Sequence, residues 1–129
     1  MQDSKQQKEL IGRKDYADFP DLELTGIKTK IDTGAYTSSI NCHWVKETEI
    51  EGEKVLVCRF LDPQHPKYTG KECYFSNYKK KSIKSSNGIS EDRFLIRTAI
   101  KLFNKVYSID LSLANRSLMK YDVLIGRKF

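Results

Sequence analysis

Hydrophobic and polar residues alternate with a period of two along several short stretches of this chain. In residues 106–113, VYSIDLSL, every second side chain is aromatic or aliphatic, and residues 27–31, IKTKI, place two lysines between apolar or β-branched side chains. Such alternation is typical of a strand that buries one face. Runs of apolar and β-branched residues predict further strands at 54–60, 71–75, 93–103 and 123–126.

Turn-forming residues separate these stretches. Two prolines and a glycine predict a loop at 62–70, and Asn87-Gly88 is typical of a type I′ hairpin turn. We expect another turn near Asn104-Lys105, and a turn or a single helical turn at 114–122. Because no stretch has a long helical period, the sequence predicts a mainly β fold, a small closed or Greek-key-like barrel.

The length and composition of the chain fit one globular domain. Its 129 residues are enough for one core, and its 39% hydrophobic and 31% charged residues separate it from disordered chains. We expect a polar tail at residues 1–9 and a single domain at residues 10–129. The polar start predicts no signal peptide, and the short apolar runs predict no membrane-spanning segment.

The cysteines and histidines of the chain do not have the spacing of a metal site. Cys42, Cys58 and Cys73 are odd in number and scattered, which predicts free thiols in a reducing, cytoplasmic compartment. His43 and His65 complete no zinc-binding motif, and no phosphate-binding glycine loop is present. We therefore expect no metal and no other cofactor, with the cysteines as small buried hydrophobes and both histidines at the surface.

The positive charge of the chain is compatible with several kinds of partner. The formal net charge is +6, and the densest basic stretch is residues 77–84, NYKKKSIK, close to Tyr74 and Phe75. Lysines beside aromatic side chains suit single-stranded nucleic acid. Lysines on a strand edge also block unwanted strand pairing, and this interpretation makes nucleic acid the less favoured partner. A basic surface is also compatible with an acidic peptide.

Asp32-Thr33-Gly34 follows the predicted strand at 27–31 and is the strongest candidate for chemistry. On its own the triplet fits an ordinary turn. The same triplet also occurs as one half of aspartic protease sites, which need a second segment packed beneath the turn. Residues 123–127, VLIGR, are a candidate for that segment, since glycine lets two backbones approach closely. The strands and the Asn-Gly hairpin between these segments follow the order of a retroviral-type aspartic protease lobe.

With these motifs the chain resembles the retropepsin-like family named as ATP-dependent zinc proteases, which often accompany ribosomal-protein glutamate ligases in bacteria. The resemblance covers nearly the whole chain and implies a closed barrel of the acid-protease type and an aspartic peptidase. Zinc or ATP dependence is not expected, because neither zinc ligands nor a nucleotide loop is found. The matching segments are IGRKDYADFPDL at 11–22, IKTKIDTGAYTS at 27–38, SSNGISEDRFLIRTAI at 85–100 and LSLANRSLMKYDVLIGR at 111–127.

The chain departs from the family pattern at a few positions. Tyr36 stands where the family usually has Arg, and Asn41 where it often has His, although His43 follows two residues later. In retropepsins an acidic side chain four residues after the catalytic Asp pairs with the Arg of the Gly-Arg segment. Because position 36 is Tyr, we do not expect that ion pair for Arg127.

The resemblance implies an active site made by two chains. Two carboxylates about 3 Å apart share one proton and act together as acid and base, so Asp32 would meet its copy on a twofold axis. Thr33 would link the two turns by hydrogen bonds, and Gly34 would bring its backbone N–H to the carboxylates. The implied flap and substrate-binding residues are Ser85, Ser86, Asn87, Gly88 and Ile89, and the supporting residues are Ala35, Leu124, Ile125, Gly126 and Arg127.

Three functions stay open at this point. The first is an aspartic peptidase that cleaves a peptide or protein substrate, for which an acidic sequence fits the net charge. The second is a non-catalytic retropepsin-like binding or regulatory module that acts with a glutamate ligase, and the third is a basic β-barrel that binds nucleic acid. Relatives continue beyond the position of Phe129 with a strand used in dimerisation, so we expect the 129-residue form to be monomeric or weakly dimeric.

Overall fold

The structure, a computed structural model, describes residues 14–32, 37–84, 88, 90–114 and 121–126. In this part of the chain nine strands form one continuous sheet, and the only helical element is a 3-10 helix at Pro20–Leu22. The strands are β1 Lys14–Phe19, β2 Leu24–Ile31, β3 Ser38–Ile50, β4 Glu53–Phe60, β5 Cys73–Phe75, β6 Tyr78–Lys84, β7 Ser90–Leu102, β8 Lys105–Ala114 and β9 Val123–Ile125.

Six of these strands close into a barrel. They follow the order β3–β8–β7–β1–β2–β9, and β9 pairs again with β3, which closes the ring. The pairings of β2 with β9 and of β3 with β8 are parallel, and the others in the ring are antiparallel. The predicted mainly β fold, a small closed barrel of the retropepsin-like type, is therefore confirmed.

The strands that alternate most clearly in sequence bury one face in the barrel core. Ile109 and Leu111 of β8 are buried, whereas Val106 is 65% exposed; Ile27 and Thr29 of β2 are fully buried. The period-two prediction for these two strands is confirmed, because the apolar face of each strand packs against the closed ring. Large side chains that are fully buried include Phe19, Ile27, Ile40, Leu56, Leu61, Ile96, Ile100, Leu102, Leu111 and Ile125.

β3 belongs to the barrel only over its first part. Residues 38–41 pair with β8 and β9, and most of the remainder pairs with β4. The register with β4 shifts between Cys42 and Trp44, so the strand is irregular at His43, as at a β-bulge, where it leaves the ring. β5 adds to the outer edge of β4, and β6 pairs with β7.

Two tight hairpins join consecutive strands. Phe103 and Asn104 connect β7 to β8 with φ of 54° and 62°, and Glu51 and Gly52 connect β3 to β4 with φ of 51° and 82°. Positive φ at both central residues is typical of type I′ turns, whose twist matches that of the flanking strands. The first turn lies one residue before the predicted Asn104-Lys105, and the second was not predicted.

The remaining differences from the sequence predictions concern the ends of strands and strands that were not predicted. The strand predicted at 71–75 begins only at Cys73, and the strand predicted at 93–103 is longer, at Ser90–Leu102. β1, β3 and β6 were not among the predicted strands. Most of the turn predicted at 114–122 lies outside the described residues. The described part contains no helix with the length and apolar character needed to cross a membrane.

Candidate active site

The short strand β9 lies between the two strands that flank Asp32. Val123 and Ile125 pair in parallel with Thr29 and Ile31 of β2, while the other edge of β9 pairs with β3. The segment from Asp32 to Ser38 therefore connects two strands that both pair with β9. Leu124 and Ile125, predicted as supporting residues, are brought beside the start of this segment.

Both ends of the Asp32 segment are hydrogen-bonded to the end of β9. The backbone N–H of Asp32 donates to the carbonyl of Ile125 over 2.9 Å, and the N–H of Gly126 donates to the buried Ser38 hydroxyl over 3.0 Å. Two consecutive residues, one of them the predicted Gly126, thus hold the two ends of the segment. The Asp32 residue is half-buried. The predicted site residues Thr33, Gly34, Ala35 and Arg127, and Tyr36, lie outside the described residues.

A polar cluster of Asn41, Asp122 and His65 holds the beginning of β9. Asn41 donates its backbone N–H to the Asp122 carbonyl over 2.7 Å and its side-chain amide to Asp122 Oδ1 over 3.2 Å. His65 Nε2 lies 3.0 Å from the other carboxylate oxygen. Asn41 is only 1% exposed, so its hydrogen bonds are shielded from water. The cluster joins β3, β9 and the loop after β4 at the point where β9 begins.

The His65 ring is held from two sides. The N–H of Lys67 donates to His65 Nδ1 over 2.9 Å, and Nε2 faces the Asp122 carboxylate. Because a carboxylate oxygen only accepts, Nε2 is the donor in that contact. The two contacts orient the ring between its own loop and the start of β9.

His43 is also held by its surroundings. Its Nδ1 donates to the Leu61 carbonyl over 2.8 Å, its Nε2 lies 3.5 Å from the Tyr68 hydroxyl, and the two rings meet edge to face with centroids 5.3 Å apart. His43 and His65 are both partly buried. The histidines, predicted at the surface, are thus partly covered: the partners of His43 lie in the loop that follows β4, and those of His65 are Lys67 in the same loop and Asp122.

The three cysteines are free thiols in the wall between β3, β4 and β5, as predicted. Cys42 and Cys58 are buried, and Cys73 is the half-buried cross-strand neighbour of Cys58. The Cys42 sulfur and burial raise the pKa of Cys58, and burial raises the pKa of Cys73, so both stay protonated at neutral pH. Across the described part of the chain, no group of three or more His, Cys, Asp or Glu side chains could hold a metal ion.

A groove of about 460 Å³ begins where the Asp32 segment ends. Thr37 and Ser38 form one part of its wall, and residues of β6, β7 and β8 form the rest. Leu95 and Ile109 contribute apolar surface, while Ser108 and Asn77 contribute hydrogen-bonding groups. A groove that combines apolar surface with hydrogen-bonding groups suits a ligand of mixed character, such as a peptide.

The charged residues of the groove are mostly basic. Lys79 and Lys81 of β6 and Arg97 of β7 line it, and Asp110 of β8 is the one acidic residue among the described lining residues. Arg97 Nε and Nη2 donate to the two carboxylate oxygens of Asp110 over 2.8 and 3.1 Å. This bidentate pair neutralises Arg97, so the positive potential of the groove comes from the β6 side.

The hairpin of β6 and β7 is fastened to β3 by one carboxylate. The Tyr78 hydroxyl donates to Glu47 Oε2 over 2.7 Å, and Lys80 Nζ donates to Glu47 Oε1 over 3.2 Å. These hydrogen bonds, that of Tyr78 first, lower the pKa of the Glu47 carboxyl.

Of the predicted flap residues, Gly88 is exposed with a φ of 84°, a conformation that glycine adopts readily in turns. Ser85, Ser86, Asn87 and Ile89 lie outside the described residues.

Sequence reasoning did not find the cluster at the start of β9. Asn41 and Asp122 are 81 positions apart, and no periodic pattern connects them with His65 in its loop. The sequence could, however, have predicted how the consecutive lysines 79–81 are arranged. Neighbouring side chains on a strand face opposite ways, so Lys80 must lie on the other face from Lys79 and Lys81.

Comparison with known proteins gives a family for nearly the whole chain. A family model described as RimB-like, "Retropepsin-like aspartic endopeptidase RimB", matches residues 10–129. The retropepsin-like part of the expected resemblance is thereby confirmed. The name of ATP-dependent zinc protease is not confirmed by the comparisons.

Curated relatives carry the name of a ligase. A probable alpha-L-glutamate ligase from Desulfotalea psychrophila is 36% identical over 121 residues, which cover 94% of this chain and 26% of that protein. A protein of the same name from Shewanella pealeana is 34% identical over 119 residues, which cover 92% of this chain and 26% of that protein. The chain thus spans only 26% of the length of these relatives.

A solved structure shares the fold. The crystal structure of a Legionella pneumophila protein of unknown function, described as DUF785, matches with a TM-score of 0.61 and 25% identity. The match covers 92% of this chain and 83% of the Legionella chain. The fold of this chain is therefore found at nearly its full extent in the Legionella protein.

Proposed function

This chain belongs to the RimB-like family of retropepsin-like domains, and from that premise we propose that it binds acidic, glutamate-bearing polypeptides and acts together with an α-L-glutamate ligase. The observation that carries the proposal is the match of nearly the whole domain to one part of proteins named as glutamate ligases. A domain that shares a chain with a ligase is held close to the ligase's products by the connection itself.

The charge of the groove supports the same class of ligand. Lys79 and Lys81 give the β6 wall a positive potential, and the whole chain has a formal net charge of +6. Charges arranged in this way speed the encounter with an acidic chain and discourage a basic one. Thr37 and Ser38, which line the groove, belong to the segment that connects Asp32 to β3, so the groove and the candidate catalytic carboxylate are close in the chain.

A binding experiment with matched peptides tests this proposal. Fluorescent octapeptides of glutamate and of glutamine have the same length and nearly the same shape but differ in charge. We expect the glutamate peptide to bind more tightly, and the difference to shrink as salt rises because exposed charges are screened. Equal binding of the two peptides would contradict the proposal, and tighter binding of a single-stranded RNA of similar charge would favour the nucleic-acid alternative.

We also propose that the domain hydrolyses such peptides with Asp32 as its catalytic carboxylate. The position of Asp32 supports this: it directly follows β2, and its N–H is bonded to Ile125 on the neighbouring strand. A backbone held at both ends of the segment keeps a carboxylate in a defined place, which proton transfer requires. The family description as an aspartic endopeptidase agrees with this chemistry.

The chemistry requires two chains, because each contributes one Asp-Thr-Gly. Two Asp32 carboxylates that meet on a twofold axis would share one proton, since two like charges at that distance cannot both ionise. The ionised member would take a proton from water as the water oxygen attacks the peptide carbonyl, and the protonated member would give its proton to the carbonyl oxygen. Collapse of the resulting diol would break the C–N bond, with a proton passing to the leaving amine. Thr33 and Gly34 would hold the two turns together.

Replacement of Asp32 by Asn tests the hydrolytic proposal. The change keeps the shape of the side chain and removes the ionisable oxygen, so cleavage of a glutamate peptide should fall by about 10⁴-fold. Asp21→Asn is the matched control, because Asp21 is exposed in the 3-10 helix on the β1–β2 connection. Activity per chain should rise with protein concentration, since two chains make one site.

The two proposals can be separated by the same variant. If Asp32→Asn cleaved a glutamate peptide as fast as the unmodified chain, the proposal that a pair of Asp32 carboxylates catalyses hydrolysis would be wrong. If neither form cleaved any glutamate peptide that it bound, the domain would act as a binding module for the ligase without hydrolysis.

A further inference from the structure

The three lysines at the centre of β6 are divided between two environments. Lys79 and Lys81 are exposed and line the groove, whereas Lys80 lies on the opposite face of the strand. There Lys80 Nζ is 3.2 Å from Glu47 and 3.6 Å from Asp92. The alternation follows from the pleat of a strand, in which residues two apart share a face.

Lys79 and Lys81 keep their charges available. Within the described ranges, no carboxylate lies at ion-pair distance from either ammonium group, although Lys80 between them has two. On the far side of the groove, Arg97 is already occupied by Asp110. A carboxylate that enters the groove therefore finds its available cations along β6.

The spacing of these two lysines matches an extended peptide. Residues two apart on a strand are separated by about 6.6–6.8 Å, and an extended peptide has the same repeat. Carboxylates on residues i and i+2 of such a peptide point to the same side and meet both lysines together. Carboxylates on adjacent residues point to opposite sides, so only one of them faces β6.

We propose that Lys79 and Lys81 are specificity-determining residues that recognise two carboxylates placed two residues apart on an extended peptide. The inference rests on the proposed function, since it names the residues that would bind the acidic ligand in the groove. Beyond a preference for negative charge, it requires a particular spacing of the acidic residues in the peptide. It also predicts the direction of binding, with the peptide backbone running along β6 and its acidic face toward that strand.

Three octapeptides of equal length test the rule. Two contain a pair of glutamates, either adjacent or separated by one residue, in an otherwise glutamine sequence, and the third contains glutamine throughout. Binding is measured in the Asp32→Asn chain, so that the peptides stay intact. We expect the separated pair to bind about three- to fivefold more tightly than the adjacent pair, the size of one additional exposed ion pair.

Single substitutions of the lysines locate the effect. Lys79→Gln and Lys81→Gln should each abolish the difference between the separated and adjacent pairs, because one lysine remains to face either peptide. Lys80→Gln is the matched control, with the same change of charge on the same strand, and should keep the difference. Circular dichroism of each variant shows that the strands are retained, which the exposure of these side chains favours.

The outcomes separate this inference from the proposal beneath it. If both glutamate peptides bind more tightly than the glutamine peptide but equally to each other, the spacing rule is overturned and acidic recognition stands. Loss of the difference in Lys80→Gln also overturns the rule. If no glutamate peptide binds more tightly than glutamine, both are overturned.

Discussion

Gly126 donates its backbone N–H to the hydroxyl of Ser38 over 3.0 Å, and both groups are buried. The bond joins the end of β9 to the first residue of β3, on the side opposite to the contact between Ile125 and Asp32. The candidate catalytic segment is thus held at its two ends by neighbouring residues of one short strand.

Removing the Ser38 hydroxyl tests how much this contact contributes. In Ser38→Ala the Gly126 N–H stays buried without its acceptor, so the free energy of unfolding should fall by about 1–3 kcal/mol. Ser108→Ala is the control: Ser108 is exposed on β8, and its loss should change stability by less than about 0.5 kcal/mol. Urea denaturation of the two variants makes the comparison. Equal stability of both variants would show that water replaces the hydroxyl.

An exchange of Asn41 and Asp122 tests the cluster at the start of β9. Asp122 accepts from both Asn41 and His65, so in Asp122→Asn the new NH2 group must face one of these donors, which should cost about 1–3 kcal/mol. Adding Asn41→Asp restores a donor opposite an acceptor, so the double variant should be more stable than either single one. A double-mutant cycle from denaturation curves gives the coupling energy. Additive effects would contradict a direct interaction between these two side chains.

The contact of Glu47 with Tyr78 and Lys80 predicts a dependence of stability on pH. Because the pKa of Glu47 is lowered from its ordinary value of 4.5, the unfolded state binds the proton more readily. The stabilisation is therefore complete above that ordinary value, and it is lost as pH falls through the lower pKa of the folded state.

Denaturation at a series of pH values measures this contribution. The difference in stability between the unmodified chain and Glu47→Gln should be largest near neutral pH and should shrink in acid. Glu49→Gln, two residues along the same strand and exposed, is the control for the loss of one negative charge from β3. A constant difference across the series would assign the effect of Glu47 to packing rather than to its charge.

The cysteines should differ in reactivity. Cys58 is fully buried and Cys42 is 4% exposed, whereas Cys73 is half-buried. A maleimide added to the folded chain should therefore label Cys73 alone, and slowly, because burial raises the pKa of its thiol. Mass spectrometry counts the labels, and Cys73→Ser should remain unlabelled until denaturant is added. Rapid labelling of all the cysteines would mean that the β3–β4–β5 wall opens readily.

Local alternation was sufficient to predict the strands that bury one face. β2 and β8 present their apolar residues to a single core, so each carries a period-two pattern. β3 could not be predicted in this way, because its first residues, among them Ile40 and Asn41, are buried in the ring, while its later residues lie on an outer sheet. A strand whose surroundings change along its length has no single period.

The sequence predicted only those parts of the candidate site in which the backbone conformation requires particular residue types. Asp32 and the apolar-apolar-Gly segment were found because turns and close backbone contacts require particular residue types. The partners of Asp122 could not be found, since Asn41 and His65 reach it only after the barrel has closed. Long-range polar contacts leave no local pattern.

The place of β9 in the ring also determines when the molecule can become complete during its synthesis. Thr29 and Val123 are partners in the sheet, yet nearly the whole domain lies between them in the chain. A ribosome makes the N-terminal strands first, and pairing across so long a separation is slow because a large loop must be closed. A nascent chain that ends before β9 has an open ring and a segment around Asp32 without the hydrogen bonds from Ile125 and Gly126. The site can therefore assemble only after β9 has left the ribosome.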